Sequence, residues 1–119
     1  MNYTTEVKDS ILFINLQGDL LGEQSGLELI ELINNKINES IIFSAIDLES
    51  VRYMNSSGIG LLITLLTKFR NKGGEVVLIN PSEQIKKLLV ITKLNAIFTI
   101  VNNREEAIGK LTAVGGGSR

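Results

Sequence analysis

Met54-Asn55-Ser56-Ser57-Gly58-Ile59-Gly60 stands between two segments of different periodicity. Before it, Ile41 to Leu48 is almost continuously apolar, the pattern of a central parallel strand covered on both faces. After it, Leu61 to Arg70 is a run of helix formers. Two serines and two glycines therefore fall where a strand hands over to a helix. A serine at such a place can accept from the first backbone N–H groups, which have no partner within the helix. The same N–H groups and the helix dipole make the corner favourable to an anion. The residues alone leave two readings open for Ser57: a cap, or a cap that also takes part in chemistry.

Downstream, Ile59, Leu62, Ile63, Leu65, Leu66 and Phe69 are expected on one face of the helix. Gly60, Thr64, Thr67 and Lys68 face away, with Leu61 at the edge of the apolar arc. Asn71-Lys72-Gly73-Gly74 ends the helix with the glycine expected there. Val76-Val77-Leu78-Ile79 is a compact buried strand, and Ser82 after Pro81 starts a third helix with Ile85, Leu88 and Leu89 inward. Lys93-Leu94-Asn95 is its exit and Ile97 to Val101 the last strand, after which Asn103 caps a closing helix through Ala107 and Ile108.

Upstream, Asn2 to Lys8 pairs with Ile11 to Leu16 across a tight Asp9-Ser10 turn, with Tyr3 and Val7 expected buried. Gly18-Asp19-Leu20-Leu21-Gly22 is expected to break that second strand. Gln24 to Asn38 carries Leu29, Ile30, Ile33 and Ile37 at helical spacing. An opening hairpin followed by strand–helix alternation predicts an α/β domain with a mostly parallel sheet. Strands added sequentially in one direction by right-handed crossovers push the helices to one face. Asp19 and Ser57 then both follow strands at the carboxyl edge of the sheet, where ligands bind in open α/β folds. The domain is expected over residues 1–112, with 113–119 a flexible tail ending in Gly115-Gly116-Gly117-Ser118-Arg119.

Composition narrows the function. The chain of 119 residues is one domain with enough length for its own core. A net charge of -1 with scattered basic residues gives no electrostatic ground for a nucleic-acid partner. There is no cysteine and no histidine, which excludes thiolate chemistry, a Ser-His-Asp triad and imidazole acid–base work. Gly58-Ile59-Gly60 lacks the lysine of a nucleotide-binding loop, and Ser57 lacks the Gly-x-Ser-x-Gly context of a hydrolase. No apolar run reaches the length of a membrane span, and the polar N-terminus lacks a signal pattern. The expectation is a soluble cytoplasmic protein, not an enzyme, with no cofactor, no metal and no membrane or nucleic-acid partner. The Asn-x-Ser sequons at Asn38 and Asn55 are then coincidental.

Asp47-Leu48-Glu49-Ser50-Val51 followed by Met54 to Gly60 resembles the signature of STAS domains, the bacterial anti-sigma factor antagonists. The resemblance continues through Gly73-Gly74-Glu75-Val76-Val77-Leu78, Ile85-Lys86-Lys87-Leu88-Leu89 and Leu94-Asn95-Ala96-Ile97-Phe98, and Gly18-Asp19-Leu20 fits the exit of the family's second strand. It implies a protein-binding switch. In the family, the serine immediately before the glycine is phosphorylated by a kinase that doubles as an anti-sigma factor. The unphosphorylated antagonist binds that partner and frees the sigma factor, and a serine phosphatase restores it. By position the phosphoacceptor is Ser57, and Asp19, Asn55, Ser56, Ser57, Gly58 and Ile59 form the partner-binding surface. Asn55 stands where the family's usual members carry aspartate. An amide keeps the hydrogen bonding and loses the charge. A constitutive scaffold or sensor-complex subunit that is never phosphorylated is the alternative this residue favours. Asp47 is expected to stabilise the strand exit, and Lys86-Lys87 to be a solvated face.

Overall fold

Asp9 and Ser10 turn the chain with φ of 55° and 62°, the paired positive values of a tight hairpin whose twist matches its strands. In the computed structural model, which describes residues 2–21 and 24–117, this turn joins β1 (Asn2–Lys8) to β2 (Ile11–Leu20). There follow α1 (Gln24–Asn38), β3 (Phe43–Met54), α2 (Ser56–Arg70), β4 (Glu75–Ile79), α3 (Glu83–Ile91), a 3-10 turn at Leu94–Ala96, β5 (Thr99–Val101) and α4 (Arg104–Gly117). The strands lie side by side in the order β1-β2-β3-β4-β5, with β1 antiparallel and the others parallel. The α/β architecture expected of the alternation is therefore present.

The strands leading to the corner are longer than expected. β2 is not broken at Gly18 but runs to Leu20, and β3 continues past Leu48 to Met54. Two irregularities account for this. Between Asn15↔Asp47 and Gln17↔Ser50, and again between Gly18↔Val51 and Asp19↔Tyr53, β3 spends one residue more than β2. Such bulges kink the strand and spoil period-two alternation without ending the pairing. Glu49 and Ser50 are exposed, as are Arg52 and Tyr53, while Val51 and Met54 are buried. Asp47 consequently sits inside the strand, where its Oδ1 accepts the Glu49 N–H at 2.9 Å, rather than at an exit. Gly22 of the expected turn and Ser118 and Arg119 of the expected tail lie outside the described residues, and the backbone of α4 remains helical through Gly117.

The sheet carries a core on each face. Leu12, Ile14, Leu16, Ile46, Leu48 and Leu78 pack against Leu29 and Ile33 of α1, Leu62, Leu65 and Phe69 of α2, and Ile85 and Leu89 of α3. Ser44, buried within β3, donates its hydroxyl to Leu12 O at 2.8 Å and so costs no unpaired group. The opposite face, with Ile11, Phe13, Ala45, Val77 and Ile79, is covered by Ala107 and Leu111 of α4. Three helices thus share one face and the closing helix takes the other. The handedness rule binds only helices that return to another parallel strand. α4 returns to none, and the back of the sheet would otherwise expose its own apolar row.

Two expected burials shift. Val7 is 43% exposed at the end of an edge strand, whereas Tyr3 packs partly against the core. On α2 the buried face is Gly58, Leu61, Leu62, Leu65, Leu66 and Phe69, and Ile63 is turned outward. Apolar residues at 59, 61, 62, 63, 65 and 66 surround this helix so broadly that periodicity alone selects no single stripe. The end of α2 matches expectation: Gly73 takes φ +83° and the Gly74 N–H donates to Phe69 O at 2.9 Å. The caps Ser82 and Asn103 also form, accepting from the N–H groups of Ile85 and Glu106.

Candidate functional site

The corner is made where β2, β3 and α2 meet. β2 and β3 stay paired to their last residues, Asp19 opposite Tyr53 and Leu20 opposite Met54. Asn55 alone separates β3 from α2. Its backbone is extended (φ -100°, ψ -173°), and its side-chain oxygen accepts the Gly58 N–H at 2.9 Å. Its own N–H donates to Leu20 O at 3.2 Å, tying the helix start to the end of β2. The capping role open to a serine is therefore held by Asn55, an interaction typically worth about 1 kcal/mol.

That assignment changes the standing of the serines. Ser56 and Ser57 are the first two residues of the helix, and both are exposed. Neither hydroxyl hydrogen-bonds another described residue. The first turn holds no acidic side chain, so the positive end of the helix dipole is uncompensated there. Ser57 Oγ is thus reachable, uncommitted and set where negative charge is favoured.

Gly58, expected on the partner surface, is buried and forms the floor of the corner. A Cβ built on it would lie 2.2 Å from Leu20 O, a separation no side chain tolerates. Gly60 has open space around its Cα hydrogen and is not under the same constraint. Ile59 is half-buried with one side against the core.

Asp19 does lie at the carboxyl end of β2, but its carboxylate is occupied. Arg52 donates from Nε to Oδ1 and from Nη2 to Oδ2, each at 3.0 Å, a bidentate clasp between β2 and β3. Arg52 and its neighbour Tyr53, 48% exposed, are surface residues of the corner that sequence reading missed. No periodic cue marks an arginine in a stretch that reads as a loop; the bulge beside it is what aims it at Asp19.

The hydrogen bond from Arg52, reinforced by its charge, holds the Asp19 carboxyl below its ordinary 3.8, and the same pairing raises Arg52. Folding lowers this acid's pKa. Its contribution to stability is therefore present above the unfolded value and is lost as pH falls through the folded one. Both groups face solvent, so the pair governs orientation more than stability. Arg52→Ala is expected to move the Asp19 midpoint upward in a carboxyl-carbon NMR titration. An unchanged midpoint would show that the guanidinium is not its cause.

The geometry can be set beside known proteins. The sequence model of the STAS domain family matches residues 2–107, from the hairpin through the corner into α4. The chain belongs to the STAS domain family. An anti-sigma F factor antagonist of Paenibacillus polymyxa is 26% identical over 119 residues, covering 96% of this chain and 99% of the relative. An anti-sigma-B factor antagonist of Listeria monocytogenes is 31% identical over 114 residues, covering 92% and 97%. In structure, the Bacillus cell fate determinant SpoIIAA in its phosphorylated form superposes with a TM-score of 0.73 at 23% identity, covering 92% of this chain and 98% of that one. By sequence this STAS domain is thus a member of the anti-sigma factor antagonist family, and these relatives are named as antagonists of anti-sigma factors. Among the described residues no helix is long and apolar enough to cross a membrane.

Proposed function

We propose that this STAS domain binds a serine-kinase anti-sigma factor through the corner surface of Asn55, Ser56, Ser57 and Ile59, bordered by the Asp19–Arg52 pair, and that phosphorylation of Ser57 releases it. One observation carries the reading: Ser57 is exposed and its hydroxyl is uncommitted, because Asn55 holds the cap. The γ-phosphoryl group of ATP passes to Ser57 Oγ, the hydroxyl proton leaves to a base of the kinase, and ADP departs. Phosphate at the second helical residue adds about -1.5 to -2 charges beside backbone N–H groups that tolerate them. The fold then has no reason to rearrange, and a partner that packed on the corner meets a hydrated dianion instead. Removal of the phosphate by a serine phosphatase resets the switch.

A second reading keeps the binding and omits the phosphorylation. Asn55 favours it, since a neutral amide leaves no carboxylate beside the acceptor to orient it. Incubation with the serine-kinase anti-sigma factor of the same cells and ATP, followed by peptide mass spectrometry, separates the two. One phosphoryl group on Ser57 is the expected result. A stable complex with no phosphate on Ser57 would leave a constitutive binding module.

A further inference from the structure

The two edges of the sheet are finished differently. β5 is three residues long and is flanked by Arg70, whose Nη2 donates to Ile97 O at 2.8 Å. β1 is seven residues long, pairs with β2 without a register shift from Asn2↔Gln17 to Lys8↔Ile11, and is the last strand on its side. Among the described residues, no backbone group bonds its outer side. Natural edges are blunted by proline, bulges or inward charges. β1 has no proline and no bulge; of its two charged residues, Glu6 is engaged by Arg104 of α4 at 2.6 Å and Lys8 stands at the last position of the strand, beside the turn. Its Tyr, Thr, Thr and Val are strand formers.

The residue pattern of β1 is also self-complementary. We infer that β1 pairs antiparallel with β1 of a second copy about a two-fold axis at Thr5, giving one continuous sheet across both. In this register Thr5 faces itself, Tyr3 faces Val7, Thr4 faces Glu6 and Asn2 faces Lys8. All the residues of the strand are used and no like charges are opposed. Tyr3 and Val7 lie on the side of the three helices, so the pairing covers the part of Val7 that a single chain leaves exposed. The neighbouring registers fail. An axis at Glu6 sets two carboxylates face to face, and an axis at Thr4 puts Val7 and Lys8 past the first residue of the opposing β1, so neither has a strand residue opposite it. Because the two β1 strands run antiparallel to each other, every strand of one copy is reversed in the other, so the two Ser57 corners point to opposite ends of the pair and both remain open.

A strand-to-strand contact buries less than the roughly 1,200–2,000 Å² of a stable complex, so the dimer forms and dissociates with concentration. Sedimentation velocity is expected to move from monomer toward dimer between about 10 μM and about 1 mM. The chain has no cysteine, which allows a register test. Thr5→Cys places the new thiols opposite one another, while Lys8→Cys places them about 20 Å apart along the strands. Under mild oxidation Thr5→Cys is expected to form covalent dimer at least about tenfold faster, although Lys8 is the more exposed position. The surface variant Val7→Lys is expected to stay monomeric across the range. Equal crosslinking rates, or dimerisation of Val7→Lys like the parent, would overturn the register. A monomer at every concentration would overturn the self-pairing and leave the edge to an extended segment of another protein.

Discussion

Ser57→Asp is expected to weaken the complex with the anti-sigma factor by about a hundredfold, near 2.7 kcal/mol, whereas Ser57→Ala leaves it within a factor of about three. The asymmetry follows from what each change does at an exposed second position of α2. Alanine removes a hydroxyl that hydrogen-bonds no other described residue, so neither the helix nor the corner loses an interaction. Aspartate puts a charge where the backbone N–H groups of α2 welcome it, so the free protein is unharmed. The penalty appears only on docking, when the partner must strip water from a carboxylate or hold its surface away from it. Titration calorimetry with both variants reads the effect directly. Equal affinities would mean that the partner does not cover Ser57. Full affinity of Ser57→Asp together with phosphorylation of the parent would assign the switch to something other than charge.

Gly58→Ala is expected to be the most disruptive small change at the corner. In an open helix interior this substitution stabilises by about 1 kcal/mol. Here the added methyl would meet Leu20 O at 2.2 Å, Leu20 Cβ at 2.8 Å and Leu20 C at 2.9 Å. Two of those atoms are backbone and cannot rotate aside. The start of α2 has to move off the end of β2, straining the Asn55 N–H to Leu20 O bond. Overpacking of this kind costs about 1–3 kcal/mol, enough to reverse the propensity gain. With a 2.2 Å approach to a backbone oxygen the cost falls at the upper end of that range. A net loss of up to about 2 kcal/mol lowers the melting temperature by up to roughly 6–10 °C in a domain of this size. Gly60→Ala, on the same helix with open space around it, is the matched control and is expected to be neutral or slightly stabilising. A Gly58→Ala protein as stable as its parent would show that the corner yields easily, and Leu20 would no longer count as its fixed wall.

Much of this molecule is written in its periodicities. The order of strands and helices is legible because each handover, such as Leu48 to Leu61, changes the spacing of apolar residues. The corner is legible because serines and glycines cluster at one of those handovers. What stayed hidden depends on single-residue register. Bulges in β3 turned Glu49 to Tyr53 into an apparent loop and concealed the Arg52 that clasps Asp19. Asn and Ser are near-equal caps, and only the actual first turn of α2 reveals that Asn55 does the capping. The face of α2 was ambiguous because nearly every side of it is apolar. The side taken by α4 is set by what the other helices leave uncovered, which no local pattern records.

The placement of the two tyrosines has an optical consequence. With no tryptophan in the chain, near-ultraviolet emission comes from Tyr3 and Tyr53 alone. One sits on the bare edge of the sheet and the other beside the Asp19 clasp. Tyr3→Phe leaves Tyr53 as a single native fluorophore a few residues from Ser57. Its emission then reports on the surroundings of the corner without a label, and the proposed docking and phosphorylation are expected to change it in real time.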